Sequence, residues 1–263
     1  MTSFLHLTDL HYSAAAPGAA GKQALLARLA EAAAGMRVGP CFAVLSGDLA
    51  DAGDAGSYRA LRPMIEAFPL PVLLALGNHD HRAAFHAAFD TGGDGPHHHA
   101  AVLAGLHVLT LDSSVPGRVG GALCEGQLGW LAEQLEDRPD LPKLIVSHHP
   151  PRLDPAALPW TSLDADSTER LGALIAGRCV AGILSGHIHM NRVALWQGVP
   201  VVTSTGLHST IDLLHAGGLR IVEGTGFAVG RWTGGGLSVS FAPLTPQGRE
   251  IGLIDETRLR SFA

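Results

Sequence analysis

"VAGILSGHIH", residues 180–189, carries an apolar run into a serine and a glycine, then sets two imidazoles two residues apart, His187 and His189. A short apolar run bounded by glycine reads as a buried strand. Taken alone, the pair behind it is a polar turn at a strand end. Four other stretches share the build, each an apolar run followed at once by nitrogen or oxygen donors. They are "SFLHLTDLH" (3–11) with Asp9 and His11, "CFAVLSGDLAD" (41–51) with Asp48 and Asp51, "PVLLALGNHD" (71–80) with Asn78, His79 and Asp80, and "LPKLIVSHH" (141–149) with His148 and His149.

Helix-spaced segments at 22–34, 57–68, 82–89, 125–137 and 167–177 separate these runs, and Pro63 is expected to bend or shorten the second. Alternation of this kind predicts parallel strands with crossover helices. Loops beyond the carboxyl ends of such strands converge on one crevice, so donors far apart in sequence meet there. A hairpin is expected around Gly105 within 100–112, and from 192 onward the chain turns β-rich, with "RVALWQG", "PVVTSTG", "LRIVEGTGFAVGRW" and "LSVSFAP". No low-complexity linker divides it. The expectation is one domain over 1–263, with a motif-bearing core at 3–210 and a β-rich C-terminal part at 211–263.

Composition narrows the function classes. The chain has 263 residues, 46% hydrophobic and 16% charged, and a formal charge of −6. It lacks a basic run of five or more residues, which counts against polymeric nucleic acid as a partner. It also lacks an apolar run of the ~20 residues a membrane span needs. "MTSFLHLTDLH" shows no basic region ahead of a long apolar one, so a cytoplasmic location is expected. Cys41, Cys124 and Cys179 are widely spaced and read as buried free thiols. Fifteen histidines is the abnormal count, and histidine is the side chain most used for metals and for proton transfer near neutral pH.

Asp and Asn offer oxygen and His offers nitrogen, a mixture that suits Zn, Mn and Fe better than Ca or Mg. Asp9, His11, Asp48, Asn78, His148, His187 and His189 make seven candidate ligands. A single zinc takes about four. Two ions sharing one bridging carboxylate would take eight bonds from these seven side chains.

The five stretches, in this order, resemble the signature of the calcineurin-like metallophosphoesterases: D-x-H, G-D, G-N-H-[DE], H and G-H-x-H. "SGDLADAG", "LGNHDHRAAF" and "VSHHPP" look most like the bacterial class III cyclic-nucleotide and glycerophosphodiester phosphodiesterases. The resemblance implies an α/β fold, a four-layer α-β-β-α sandwich of two mixed sheets flanked by helices. It implies Asp9, His11, Asp48 and His189 around one ion and Asp48, Asn78, His148 and His187 around a second, with Asp48 bridging. In "SHHP" it favours His148 over His149. His79 is implied as a non-ligand acting on the phosphoryl group or leaving oxygen, and Asp51 as the carboxylate that orients it. Asn78 and His79, with His208 in "TSTGLHST", are implied to border substrate, and His81 to line the same pocket. Two ions drawn from Mn2+, Fe2+/Fe3+ and Zn2+ are the implied cofactors, and a hydroxide between them the nucleophile for in-line attack.

The implied activity is hydrolysis of a small phosphodiester, such as 3′,5′-cAMP or a glycerophosphodiester. A phosphomonoesterase or nucleotide pyrophosphohydrolase on the same centre is the alternative, and a non-catalytic metal-bound scaffold the alternative of another class. Protein phosphatases of the superfamily carry arginine directly after the second aspartate; here Ala52 stands there, which favours a diester over a monoester dianion. Arg82 and Arg152 are candidates to replace that clamp. "HHH" at 97–99 reads as a solvated loop, and 113–127 as a protruding arm in a possible homodimer.

Overall fold

Strand β1 (Thr2–Leu7) is buried along its whole length and pairs in parallel with β2 (Phe42–Ser46), which pairs in parallel with β3 (Val72–Ala75). The crossovers are helices α1 (Ala19–Gly35) and α2 (Ala55–Glu66), and α3 (Arg82–Phe89) follows β3. This computed structural model describes residues 1–36, 39–216 and 218–244, so the part of the expected β-rich C-terminal region at 245–263 lies outside the described residues.

Chain reversal then builds a second sheet. β4 (His99–Leu103) and β5 (Leu106–Leu111) form the expected hairpin, turning through Ala104 and Gly105, both with positive φ. Helix α4 (Glu125–Glu136) leads to β6 (Lys143–Ser147), and α5 (Ala165–Ile175) to β7 (Val180–Ser185). β8 (Arg192–Trp196) folds back onto β9 (Val199–Thr203), giving the order β4-β5-β6-β7-β9-β8 with β5, β6, β7 and β9 parallel. A small ribbon of β10 (Thr210–Ile211) and β11 (Ile221–Val222) follows. The hairpin of β12 (Gly226–Thr233) and β13 (Gly236–Pro243) returns to the first sheet, whose order is β13-β12-β1-β2-β3.

The buried side chains explain why these layers stack. Phe4, Phe42 and Val44 of the first sheet meet Val108, Leu144, Val146 and Val202 of the second, with Phe4 and Phe42 stacked at 5.2 Å. On its other face the first sheet buries Leu5, Leu7 and Leu45 against Leu26 and Leu29 of α1 and Leu61 of α2. The second buries Leu109, Ile145 and Ile183 under α4 and α5. Both sheets are therefore apolar on both faces, as parallel strands between layers must be, and each fully buried Leu or Phe contributes about 1.5–3 kcal/mol. The result is the expected α-β-β-α sandwich of two mixed sheets.

Several expectations are corrected. Helix α2 runs one turn past Pro63 to Glu66, because proline sits near the end, where little of the ladder remains to be lost. Its start is set by Asp54, whose carboxylate accepts from Ser57 N at 2.9 Å. All three cysteines are free but exposed rather than buried. Segment 113–127 folds back onto the second sheet, with Ala122 N donating to Ser113 O and Leu123 N to the Ser167 hydroxyl. The histidines at 97–99 are half-buried: His97 packs on Phe85, His98 on Trp130, and His99 opens β4. No helix among the described residues is long and apolar enough to cross a membrane.

Candidate metal centre

All five donor-bearing stretches lie at the carboxyl ends of parallel strands, β1, β2 and β3 from one sheet and β6 and β7 from the other. Directly after those ends the backbone turns through an unusual conformation. Asp9, His11, Asp48, His187 and His189 all have φ between 46° and 71°. A left-handed non-glycine residue costs about 1–3 kcal/mol, and such strain collects at functional sites. Gly47 (φ 104°) and Gly77 make the close approach possible: a Cβ on Gly47 would lie 2.7 Å from His148 Cβ, and one on Gly77 2.6 Å from Asp48 N.

The turns bring the donors together. Asp9, His11 and His189 offer ligand atoms all within 4.8 Å of one another, as do Asp9, Asp48 and His148. Asp48 Oδ2 is 3.3 Å from His148 Nε2 and 3.5 Å from His11 Nε2, and Asp9 Oδ1 is 3.4 Å from His189 Nε2. His11 Nε2 and His189 Nε2 are 3.3 Å apart. His187 joins the second group through its ring, 5.2 Å from that of His148, and Asn78 leaves Oδ1 buried without a partner.

Each imidazole is held by one nitrogen. His11 Nδ1 donates to Asp51 Oδ1 at 3.1 Å, and His148 Nδ1 to the Ser46 carbonyl at 2.9 Å. His187 Nε2 donates to the Trp160 carbonyl at 2.6 Å, and His189 Nδ1 to that of Ser209 at 3.0 Å. A hydrogen bond from one nitrogen to a fixed oxygen sets the ring's orientation and so the direction in which its other nitrogen points. His149 differs: Nδ1 meets the Ser113 hydroxyl at 2.8 Å and Nε2 donates to the Val119 carbonyl at 2.9 Å, so both nitrogens are used.

Electrostatics follow from burying carboxylates among rings. Burial lowers His11 and His187 to about 4, so both are neutral at pH 7. Burial would also lower His148, but the Asp48 and Asp9 carboxylates outweigh it and raise the ring to about 9. Burial would raise Asp48, yet His148 beside it holds the carboxyl well below its ordinary range. Among the described residues neither Asp9 nor Asp48 pairs with a lysine or arginine, and histidines are their charged partners.

His79 sits at the edge of this cluster, its ring 4.6 Å from that of His11, and its side chain is 42% exposed, open to a 350 Å³ cavity. Its Nδ1 donates to the main-chain carbonyl of Asp51 at 2.7 Å, while the Asp51 carboxylate is 3.9 Å away and bonded to His11. The expected orientation of His79 by the Asp51 side chain thus runs through the backbone carbonyl instead. His208 stacks 4.8 Å from His11 and accepts from Lys22 Nζ at 3.0 Å. His81 caps α3 with its ring and lines a neighbouring cavity with Ala52 and His79. The two candidate clamps are otherwise engaged. Arg82 donates to buried Asp112 at 2.7 Å and to the Ser114 carbonyl, and Arg152 to the carbonyls of Pro155 and Ala157.

Asp80 and Lys22 were not assigned roles from the sequence. The buried Asp80 carboxylate accepts from Leu49 N, Ala50 N, Gly77 N and the Tyr58 hydroxyl, tying the turn after β2 to the turn after β3. Its place directly after "GNH" was the available signal. Lys22 reaches from α1 to the carbonyls of Leu10 and His11 and had no local signal.

Comparison with known proteins identifies relatives. The chain is 32% identical over 231 residues to a cAMP/cGMP dual specificity phosphodiesterase of Mycobacterium tuberculosis, covering 84% of this chain and 72% of that one. It is 33% identical over 159 residues to the 3′,5′-cyclic adenosine monophosphate phosphodiesterase CpdA of Escherichia coli K12, covering 59% of this chain and only 56% of CpdA. A glycerophosphodiester phosphodiesterase, GpdQ of Enterobacter lignolyticus, is 28% identical, with 69% and 67% covered. Among solved structures, GAP50, the anchor in the inner membrane complex of Plasmodium, shares the fold at a TM-score of 0.62 and 16% identity over 95% of this chain and 87% of that one. The family model for calcineurin-like phosphoesterases matches residues 2–191, which include every donor described above, and the chain belongs to that family.

Proposed function

We propose that this chain is a metal-dependent phosphodiester hydrolase of one domain, with two ions held by seven side chains. Asp9, His11, Asp48 and His189 would hold one ion, and Asp48, Asn78, His148 and His187 the other. The observation that carries the reading is the anchoring of four imidazoles by one nitrogen each, to Asp51, Ser46, Trp160 and Ser209. In His11, His148 and His189 the other nitrogen faces Asp48 or Asp9 within 3.5 Å, whereas His149 spends both nitrogens on Ser113 and Val119. The donor set fits cations on a second ground: Asn78 Oδ1 is buried with no hydrogen-bond partner, an arrangement that costs stability unless something binds there.

When bound, two such ions supply an activated water and neutralise charge on the phosphoryl oxygens. The protein's own groups do the rest. His79 presents Nε2 toward the cavity, because its Nδ1 is committed to Asp51 O, and can donate a proton to a leaving oxygen or a hydrogen bond to the phosphoryl group. The Asp48 carboxylate fixes the His79 backbone by accepting its N–H at 2.9 Å. The substrate is a small phosphodiester, the class named for the relatives above. Position 52 carries no arginine, and Arg82 and Arg152 are spent elsewhere, so none of the three supplies the clamp that a dianionic monoester would use.

Elemental analysis of the purified chain, followed by kinetics with Mn2+ on cyclic nucleotides, linear diesters and monoesters, tests the reading. Two ions per chain and diester turnover are expected. Tight binding of ions without hydrolysis of any phosphoester would leave only the scaffold alternative.

A further inference from the structure

The cavity beside His79 is lined by more than the donors. Its lining includes Trp160, Ile188, Met190, Ile211, Leu219 and Ile221, and among the described residues no lysine or arginine lines it. Leu219 and Ile221 are 56% and 64% exposed although they belong to the ribbon that closes the cavity, where Ile211 pairs with Ile221. At the tip of that ribbon Leu213 and Leu214 are 70% and 95% exposed. The ribbon's own cation, Arg220, is held on Asp212.

Two hydroxyls also line the cavity, each with a partner inside the protein. Thr161 donates to the Leu158 carbonyl at 2.8 Å, and the Ser209 hydroxyl lies 3.1 Å from His189 Nδ1. A nucleobase or glycerol pressed against this wall would leave its polar edges unpaired, which works against binding. Nor does the wall offer a cation for a second phosphate. An aliphatic chain meets neither penalty and gains by leaving water.

We propose that this wall selects phosphodiesters bearing an aliphatic ester substituent, held against Ile188, Ile211, Leu219 and Ile221. The inference rests on the phosphodiesterase reading and narrows it to linear diesters with an apolar arm.

The test is a series of alkyl 4-nitrophenyl phosphates, methyl to hexyl, kept below aggregation and turned over by the full chain with Mn2+. The alkyl group hardly changes intrinsic reactivity, so kcat/KM reports the wall. It should rise about fourfold per methylene until the wall is filled, the value expected for a buried methylene at about 0.8 kcal/mol. Ile221→Asn and Leu219→Asn should flatten the hexyl-to-methyl ratio measured within each variant, whereas Leu195→Asn, an exposed leucine on β8, should leave it as in the parent. Both wall residues are more than half exposed, so folding tolerates the change. Turnover of the methyl ester with a flat series overturns this inference and leaves the phosphodiesterase standing, as does a rise that persists in both wall variants. Failure to hydrolyse any ester of the series overturns both.

Discussion

The main-chain N–H of His187 lies 3.1 Å from each carboxylate oxygen of Asp9, joining the turn after β7 to the turn after β1. The Thr8 hydroxyl donates to the same carboxylate at 2.8 Å. Asp9 therefore welds the two sheets at their shared end before any ion is considered. Asp48 does the corresponding work within the first sheet through His79 N. The two carboxylates hold the protein together and face the donors, which makes their variants informative in different ways.

Asp48→Ala should lose both ions together, because Asp48 Oδ2 stands between His11 and His148, one from each proposed ligand set. Elemental analysis of the purified variant against the parent measures this. Two tightly held ions in the variant would end the bridging role of Asp48.

His79→Ala should keep both ions and lower kcat by roughly 10²–10⁴, the range for a lost general acid. Its ring is only edge-on to His11 and open to the cavity, so its removal leaves the donor set intact. The deficit should shrink on nitrophenyl esters, whose leaving group needs no proton. An equal deficit on activated and unactivated esters assigns His79 to charge stabilisation in the transition state instead.

Lys22→Met should weaken metal binding without touching a proposed ligand. The ammonium neutralises the carbonyls of Leu10 and His11, and His11 sits at φ 46°. Titration of the metal-free protein with Mn2+ should show a raised dissociation constant, partly restored in Lys22→Arg. An unchanged constant would make Lys22 a bystander.

Strand ends and donors were legible in the sequence because apolar runs and abrupt Asp, Asn and His punctuation are local signals. "VAGILSGH" is β7 and its turn almost residue for residue. What was not legible depends on distant partners. Whether Asp51 meets His79 by its carboxylate or its carbonyl is set by the turn after β2 lying against the turn after β1. That Arg82 is consumed by Asp112 needs the loop after β5 to arrive beneath α3. The cysteines went the other way: apolar neighbours suggested burial, but each lies outside the strand or helix beside it and stays exposed.

His6 offers a pH test at a residue that is not itself a proposed metal ligand. It is buried in β1, its Nε2 meets the Ser46 hydroxyl at 2.9 Å, and burial lowers it from 6.5 to about 4. A folded-state pKa below the unfolded value means the unfolded chain binds the proton first. The resulting stability is present above pH 6.5 and is lost as pH falls toward 4. The loss is a few kcal/mol, at about 1.4 kcal/mol per unit. Urea unfolding of chelated protein should show a shallower fall over that window in His6→Gln than in the parent. Identical pH dependence in the two would mean that His6 does not titrate on unfolding.

The choice between diester and monoester turns on position 52. Ala52 lines the neighbouring cavity with Asn78, His79 and Arg82, so Ala52→Arg places a guanidinium beside two residues that also line the candidate site. The Arg82 guanidinium is bound to Asp112 and the Ser114 carbonyl, leaving the neighbourhood without a free clamp. A diester carries one negative charge fewer than a monoester dianion and should need none. With one metal preparation, bis(4-nitrophenyl) phosphate and 4-nitrophenyl phosphate share a leaving group, and their kcat/KM values can be referenced to the uncatalysed rates. The parent should favour the diester on that scale. Ala52→Arg should move the ratio toward the monoester by roughly tenfold or more, since a charge-assisted pair is worth about 1.5–3 kcal/mol. A parent that prefers the monoester by a wide margin would reverse the substrate assignment and make the phosphomonoesterase alternative the better reading.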